Sequence, residues 1–223
     1  MTEALLFYTN PMSRGQTVRW MLEEIGEPYK TEVLDYKSTM KAEPYLSINP
    51  MGKVPAIRHN GRVVTEVAAI CCYLADAFPA ANLAPPPPDR ADYYRWIFFT
   101  SGPVEAAFSN KAAGWAPSPE RQAMFGYGTY DTAMVTLEAT LSSKPYITCD
   151  RFTAADLFVG AMVNFMLQFN LLDPRPGVGI KPYRVKMPSY ASLSLPERDA
   201  LVAYLLALQT PGSAVSLAQQ VKP

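Results

Sequence analysis

The first 78 residues alternate between strand and helix signals, and this alternation constrains the fold more than any other feature of the sequence. Short apolar runs predict strands, whereas apolar residues spaced three and four apart predict helices that bury one face. The predicted order is β-α-β-α-β-β-α, with strands at 4–8, 29–34, 54–58 and 62–64 and helices at 16–25, 38–46 and 65–78. The first two strands should be parallel because a helix joins them, and the Asn60-Gly61 turn predicts an antiparallel hairpin for the last two.

The pattern changes at 80–88, where the sequence AANLAPPPP ends in four prolines and predicts a stiff, extended spacer. Beyond the spacer the signals are mostly helical. Helical segments are predicted at 89–113, at 119–141, after a capping-box spacing at 153–156, and at 196–208, with a loop at 173–195. The sequence therefore predicts an α/β domain (1–79), a proline-rich linker (80–88) and an all-helical domain (89–223).

Composition excludes several classes of partner. The chain has 223 residues, is 49% hydrophobic, and carries 20 basic and 20 acidic side chains. This balance gives no overall field to attract nucleic acid or an anionic membrane. The three cysteines form no C-x-x-C pair and no zinc-ligand pattern, so neither a metal site nor a disulfide framework is expected. The N-terminus has no signal-peptide pattern and no run is long enough to span a bilayer, so we expect a cytoplasmic protein.

The stretch NPMGKVPAI (49–57) contains the most informative single residue. Val54, Ala56 and Ile57 are typical of a strand, yet Pro55 lies among them. Proline has no N–H to donate to a sheet, so it belongs at an edge, a bulge or a turn. One hypothesis is that the backbone here hydrogen-bonds a ligand; the alternative is an ordinary edge-strand proline that ends a loop.

An α/β domain with a proline opening its third strand, followed by a helical domain, resembles the cytosolic glutathione transferases. The resemblance covers nearly the whole chain, and three segments carry most of it: NPMGKVPAI, TEVAAICCYLADAFP and SRGQTVRWMLEEIGEPY. It implies a thioredoxin-like βαβαββα domain followed by a helical bundle. It also implies a cis peptide bond before Pro55 and a homodimer, with the first and last helices of the first domain meeting the partner's second domain.

The resemblance further implies a glutathione site. The backbone of Val54 would pair with the cysteinyl backbone of glutathione. Glu66 and the N–H of Val67 would hold the γ-glutamyl end, because helix N-terminal N–H groups favour a carboxylate. Lys53 would help hold the glycyl carboxylate. Val67 departs from the family pattern, since a Ser or Thr hydroxyl usually adds a hydrogen bond there. The alternatives are that Glu66 only complements the helix dipole and that Lys53 is a solvated charge.

The family activates the glutathione thiol with a side chain in the loop after the first strand. Ser13 is the first candidate, because it matches the Ser-Arg pattern of bacterial-type members that use serine, and Tyr8 and Asn10 are the runners-up. Thr9 and Arg14 are further candidates. The alternative for Ser13 is a plain helix N-cap, and the two roles compete for one oxygen. The loop contains no cysteine, which argues against members with a catalytic cysteine.

The resemblance implies a glutathione transferase of detoxification type, with attack of glutathione thiolate on a small apolar electrophile. The cleft for that electrophile would include some of six aromatic residues between 93 and 108, where Gly102-Pro103 should bend the helix. Near the C-terminus, 208–212 departs from the family's Arg-Pro-aromatic pattern. Two alternatives stay open: a binding or regulatory protein on the same fold, and a glutathione-dependent isomerase, dehalogenase or peroxidase.

Overall fold

The computed structural model describes residues 4–143 and 145–172 of the chain. The predicted loop at 173–195, the predicted helix at 196–208 and the departure at 208–212 lie outside these residues. The strands are β1 (Leu5–Thr9), β2 (Tyr29–Val33), β3 (Ala56–His59) and β4 (Arg62–Thr65). The helices are α1 (Gly15–Ile25), α2 (Tyr45–Ile48), α3 (Val67–Ala77), α4 (Ala91–Phe99), α5 (Glu105–Ala112), α6 (Tyr130–Ser143) and α7 (Ala154–Gln168).

The four strands form one sheet in the order β2-β1-β3-β4. β1 and β2 are parallel, whereas β3 is antiparallel to both β1 and β4. The predicted thioredoxin-like order of elements is therefore confirmed, including the hairpin at Asn60-Gly61. Both turn residues have positive φ, which explains the Asn-Gly pair because these residues tolerate that conformation.

The two faces of the sheet bury different sets of side chains, as the period-two alternation of a strand requires. Leu5, Phe7 and Ile57 face a core that α1 and α3 cover. Tyr8 and Ala56 face the other side, where a smaller cluster also includes Leu34, Met40 and Tyr45. The N-terminal region is thus a three-layer arrangement with helical segments on both faces.

Two predicted helices are shorter than expected. In place of the helix predicted at 38–46, the structure has one 3-10 turn (Thr39–Lys41) and the four-residue helix α2, which begins at Tyr45 and ends at Ile48. The segment at 119–141 begins with a separate 3-10 stretch (Pro119–Met124), and α6 starts only at Tyr130. The break falls on FGYG (125–128), where Gly128 has a φ of 63°, a conformation that cannot continue a right-handed helix.

The predicted interruption at Gly102-Pro103 is confirmed. Residues Thr100–Val104 form a π-helical turn between α4 and α5, with Pro103 inside it. Because proline has no N–H and its ring clashes with the preceding turn, the backbone widens there rather than continuing as an α-helix. The predicted capping box is also confirmed, since Thr153 and Asp156 cap the start of α7 reciprocally.

The region after the linker packs directly on α1 and α3. One continuous cluster of buried side chains includes Val18 of α1, Ile70 of α3, Ile97 of α4 and Val163 of α7. The linker contributes Leu83 to the same cluster. None of the described helices is both long and apolar enough to cross a membrane.

Candidate functional site

The strand register brings three separate segments to one end of the sheet. Tyr8 pairs with Ala56, and Ala56 pairs with Thr65. The residues that follow β1, precede β3 and follow β4 must therefore lie side by side. These residues include Ser13 and Asn10 after β1, Lys53, Val54 and Pro55 before β3, and Glu66 and Val67 after β4, whereas the candidates Tyr8 and Thr9 lie within β1 itself. We call this place the site end of the sheet.

The same turn occurs twice at the site end, in NPMSR (10–14) and NPMGK (49–53). In each turn the asparagine Oδ1 accepts the N–H of the methionine two residues later, at 2.9 Å and 3.1 Å. The Asn10 Nδ2 donates to the carbonyl of Leu34 at 2.8 Å, and the Asn49 Nδ2 donates to that of Lys53 at 2.8 Å. The amide of Asn10 is thus engaged in holding the loop to the end of β2.

The hydroxyl of Ser13 also has partners within its own loop. It donates to the carbonyl of Asn10 at 2.6 Å and accepts the N–H of Gly15 at 3.0 Å. The second bond satisfies a backbone donor at the start of α1, as a capping serine does. Donation to a thiolate therefore requires the hydroxyl to turn away from Asn10.

Gly15 is the residue that permits this close packing. A Cβ at Gly15 would lie 2.0 Å from the Oγ1 of Thr9 and 2.9 Å from the Oγ of Ser13. No heavy atom tolerates the first distance without a shift of the loop. The glycine therefore allows the start of α1 to approach the end of β1.

Tyr8 is buried beneath the site end rather than lying on its surface. Only 5% of the residue is exposed, and its ring centroid lies 5.5 Å from that of Tyr45. The hydroxyl of Tyr45 donates to the carbonyl of Lys53, and burial raises the pKa of Tyr45 to about 12. The tyrosine pair thus supports the segment that leads into β3.

The peptide bond between Val54 and Pro55 is cis, as the resemblance implies. Pro55 is buried, and β3 begins one residue later at Ala56. Within residues 4–143 and 145–172, neither the N–H nor the C=O of Val54 has a hydrogen-bond partner. The side chain of Lys53 is exposed beside it. This backbone is therefore available to an extended ligand.

Glu66 precedes α3 and adopts an unusual backbone conformation. Its φ is 67° and its ψ is 123°, and its side chain is exposed. Residues without glycine's freedom adopt positive φ rarely, and such strain concentrates at functional sites. Among the residues that the structure describes, no side chain caps α3, so its first N–H groups lie at the site end without a side-chain acceptor from this part of the chain. Val67 is half-buried and packs on the main core.

These features agree with the family comparison. Residues 12–77 match the family model described as the glutathione S-transferase N-terminal domain. Glutathione S-transferase 1 of Schizosaccharomyces pombe is 27% identical over 157 residues, which cover 65% of this chain and 68% of that protein. Residues 12–77 are therefore similar to the N-terminal domain of glutathione S-transferases.

Solved structures extend the similarity beyond the matched domain. The bacterial glutathione transferase BphK, solved as a ternary complex, has a TM-score of 0.67 and 24% identity, covering 92% of this chain and 100% of that one. A Sulfitobacter homologue solved with bound glutathione has a TM-score of 0.65 and 24% identity, covering 88% and 98%. At these identities the similarity shows the glutathione S-transferase fold.

The aromatic residues of the helical region divide between core and surface. Tyr93, Trp96 and Phe108 are buried, whereas Tyr94 and Phe98 are 40% and 64% exposed. Helical spacing predicts that the aromatic residues divide between two faces, but the sequence alone does not show which face is buried. Phe108 also packs against two further rings, Phe165 at 5.5 Å and Phe169 at 5.9 Å between centroids.

One connection at the site end was not predicted from the sequence. Arg14, which follows Ser13, forms an ion pair with Glu105 at the start of α5. Its guanidinium carbon also lies 4.9 Å from the ring centroid of Phe165 on α7. Arg14 and Glu105 are 91 positions apart, so no periodicity or spacing could have indicated the pair.

Cys71, Cys72 and the single histidine are on α3 and β3, and none of them belongs to the three segments that meet at the site end. Cys71 and Cys72 are in α3, and burial raises the pKa of both thiols. The Nδ1 of His59 lies 3.0 Å from the hydroxyl of Tyr73, beside the hairpin. The interpretation of the two cysteines as packing residues is consistent with their burial, because a buried thiol in apolar surroundings is a poor nucleophile.

Proposed function

We propose that this chain is a glutathione transferase. In the proposed reaction the glutathione thiol loses its proton, and its sulfur forms a bond to an electrophilic carbon of a small apolar molecule. The bond from that carbon to the leaving group breaks, and the leaving group departs with the electron pair. The observation that carries the proposal is that, among the described residues, the backbone of Val54 lies unpaired beside the uncapped start of α3 at one end of the sheet.

The binding roles follow from hydrogen-bonding capacity and charge. The N–H and C=O of Val54 would pair with the cysteinyl backbone of glutathione, as one added strand residue. The first N–H groups of α3 would hold the γ-glutamyl carboxylate, and Glu66 would pair with its ammonium. Lys53 would attract the glycyl carboxylate. The absence of a hydroxyl at Val67 removes one hydrogen bond to a charged group, worth roughly 1.5–3 kcal/mol.

Activation of the thiol is assigned to Ser13. Lowering a thiol pKa from about 8.5 to about 6.5 requires roughly 2.7 kcal/mol of preferential stabilisation of the thiolate. The Ser13 hydroxyl can donate a hydrogen bond to the thiolate. It also lies next to the N-terminus of α1, whose positive partial charge stabilises the negative thiolate. The hydroxyl would exchange its bond to the Asn10 carbonyl for one to the thiolate while keeping the N–H of Gly15 as a donor to its oxygen.

A second candidate function is a non-catalytic glutathione-binding or regulatory protein. Two observations favour it: Val67 cannot supply a hydroxyl, and the only hydroxyl proton of Ser13 is already engaged with Asn10. An isomerase, dehalogenase or peroxidase that uses glutathione would share the same binding site. Rates with a panel of electrophiles at constant glutathione separate these activities from the transferase.

The test is calorimetric titration of glutathione into the protein and into Glu66→Gln, which keeps the size of the side chain but removes its charge. We expect dissociation constants in the micromolar to millimolar range for the wild type and at least about tenfold weaker binding for the variant, from one lost charged hydrogen bond. No heat at millimolar glutathione would contradict both the transferase and the binding-protein proposals.

Catalysis is tested with an activated aryl chloride and the Ser13→Ala variant. We expect the rate at pH 6.5 to fall by at least about fivefold, because a rise of one unit or more in the apparent pKa of the bound thiol lowers the thiolate fraction by that factor. Ser143→Ala is the control, because Ser143 is an exposed serine at the end of α6 whose hydroxyl donates to the carbonyl of Thr140. Glutathione binding without any turnover of electrophiles would favour the second candidate.

The division into two domains (1–79 and 89–223), a homodimeric assembly and a cytoplasmic location are part of the same proposal. They rest on the family resemblance rather than on a contact in this chain. Light scattering of the purified protein would test the dimer, for which we expect about twice the 24.6 kDa chain mass.

A further inference from the structure

Arg14 is the residue through which the Ser13 loop reaches the helical region. Its guanidinium pairs with the carboxylate of Glu105, and the two side chains are 33% and 28% exposed. It also contacts the face of the Phe165 ring, at 4.9 Å from the guanidinium carbon to the centroid. One side chain thus joins the start of α1 to both α5 and α7.

The other bonds of the loop stay within the first domain. Asn10 donates to the carbonyl of Leu34, the N–H of Leu34 donates to Thr9, and Ser13 bonds to Asn10 and Gly15. These bonds set the shape of the loop. They do not set its position relative to α5 and α7, where Phe108 and Phe165 lie.

We propose that Arg14 is a positioning residue for the reaction: its ion pair with Glu105 and its contact with Phe165 hold Ser13 at a defined place beside the helices. This inference rests on the proposed function and extends it. A planar guanidinium is suited to the task, because it can pair with a carboxylate and stack on a ring at once. Partial burial makes such a pair stronger than one on an open surface.

Glu105 also affects the electrostatic potential near the Ser13 loop. It balances the charge of Arg14, so the guanidinium is not an independent cation beside the thiol. Loss of Arg14 would therefore release the loop and leave a carboxylate uncompensated. Both changes disfavour a thiolate, whereas removal of Glu105 alone would leave a cation and act in the opposite electrostatic direction.

A second ion pair between the two regions provides a matched control. The Nη2 of Arg90 lies 2.8 Å from the Oδ1 of Asp76, joining the end of α3 to the start of α4. Asp76 lies near the C-terminal end of α3, roughly 15 Å along the helix from Glu66, at 1.5 Å per residue. Breaking this pair weakens the contact between the regions without touching the Ser13 loop.

The experiment measures the apparent pKa of the bound glutathione thiol by thiolate absorbance against pH. It compares the wild type with Arg14→Met, Arg14→Lys, Asp76→Asn and the double variant Arg14→Met/Glu105→Gln. Thermal unfolding of each variant identifies any that does not fold, in which case Arg14→Lys replaces Arg14→Met. Glutathione affinity and kcat are measured on the same samples.

We expect Arg14→Met to raise the thiol pKa by about one unit and to lower kcat at pH 6.5 by about fivefold, with glutathione affinity changed less than about twofold. Arg14→Lys should give a smaller shift, since an ammonium keeps the charge but not the stacking. The double variant should keep at least half of the shift, because it restores neutrality without restoring the link. Asp76→Asn should leave the thiol pKa unchanged.

Three results would overturn the inference in a wild-type protein that binds glutathione. They are an unchanged thiol pKa in Arg14→Met, an equal shift in Asp76→Asn, or a return to the wild-type value in the double variant, which would assign the whole effect to charge. A wild-type protein that takes up no glutathione would overturn the proposed function, and the inference with it.

Discussion

At Glu66 the backbone conformation favours glycine, whereas the proposed binding role requires a carboxylate side chain. Its φ of 67° and ψ of 123° suit glycine, yet the exposed carboxylate is the group that we assign to the ammonium of glutathione. Holding such a residue at positive φ costs about 1–3 kcal/mol. The position therefore combines local strain with proposed binding, which is a common property of ligand sites.

Glu66→Gly should relieve that strain. Glycine loses more chain entropy on folding, about 0.5–1 kcal/mol relative to alanine, so we expect the glycine variant to be more stable than Glu66→Ala by up to about 2 kcal/mol. Both variants remove the carboxylate and should bind glutathione equally weakly. Urea unfolding midpoints compare the two stabilities. A glycine variant that is less stable than the alanine variant would show that the conformation carries no strain.

Among the elements, α7 has the most complete cap of the described helices. The buried carboxylate of Asp156 accepts the N–H of Thr153 at 3.0 Å, the hydroxyl of Thr153 at 2.7 Å and the N–H of Ile147 at 2.7 Å. It thus fixes the start of α7 and the segment before it together. Because α7 also carries Phe165, this cap bears indirectly on the position of Arg14.

Asp156→Ala should destabilise the protein by at least about 3 kcal/mol, because it removes three hydrogen bonds and takes away the carboxylate that accepts the buried N–H groups of Thr153 and Ile147. Asp131→Ala is the control, since Asp131 is an exposed acidic residue in the first turn of α6 and its loss should cost at most about 1 kcal/mol through the helix dipole. Chemical unfolding measures the loss in free energy of unfolding for both variants, with the same dependence on denaturant concentration used for each. Similar losses in the two variants would mean that burial and the three bonds contribute little.

At the scale of the whole molecule, the two predicted domains share one core. Val18 and Ile70 from the first lie in the same cluster of buried side chains as Ile97 and Val163 from the second. Separation of the regions would expose apolar surface on both sides, at about 25 cal/mol for each Å². The linker therefore marks a change of architecture across which the two predicted domains stay packed together.

This shared core predicts that the two regions unfold together. Trp20 lies in α1, whereas Trp96 and Trp115 lie in the helical region. A variant that keeps tryptophan in only one region therefore has fluorescence that reports on that region alone. We expect Trp20→Phe and the Trp96→Phe/Trp115→Phe double variant each to show fluorescence and far-ultraviolet dichroism transitions that coincide. Two separated midpoints in either variant would show that the regions unfold independently.

The sequence by itself determined the features that depend on near neighbours along the chain. The order of strands and helices, the Asn60-Gly61 hairpin, the break at Pro103 and the capping box of α7 all follow from local periodicity, turn chemistry and the properties of proline. Short continuous segments of the sequence resemble a known family. That resemblance predicted the cis bond before Pro55 and the choice of Val54, Glu66 and Val67 as binding candidates.

Only the tertiary structure decided which distant groups meet. It showed that the Ser13 hydroxyl bonds to Asn10, that Tyr8 is buried against Tyr45, and that Arg14 pairs with Glu105. It also divided the aromatic residues of α4 and α5 between core and surface. The physical reason is that a helix or strand pattern gives the spacing of side chains along one element, whereas hydrogen bonds and burial depend on which other element packs against it.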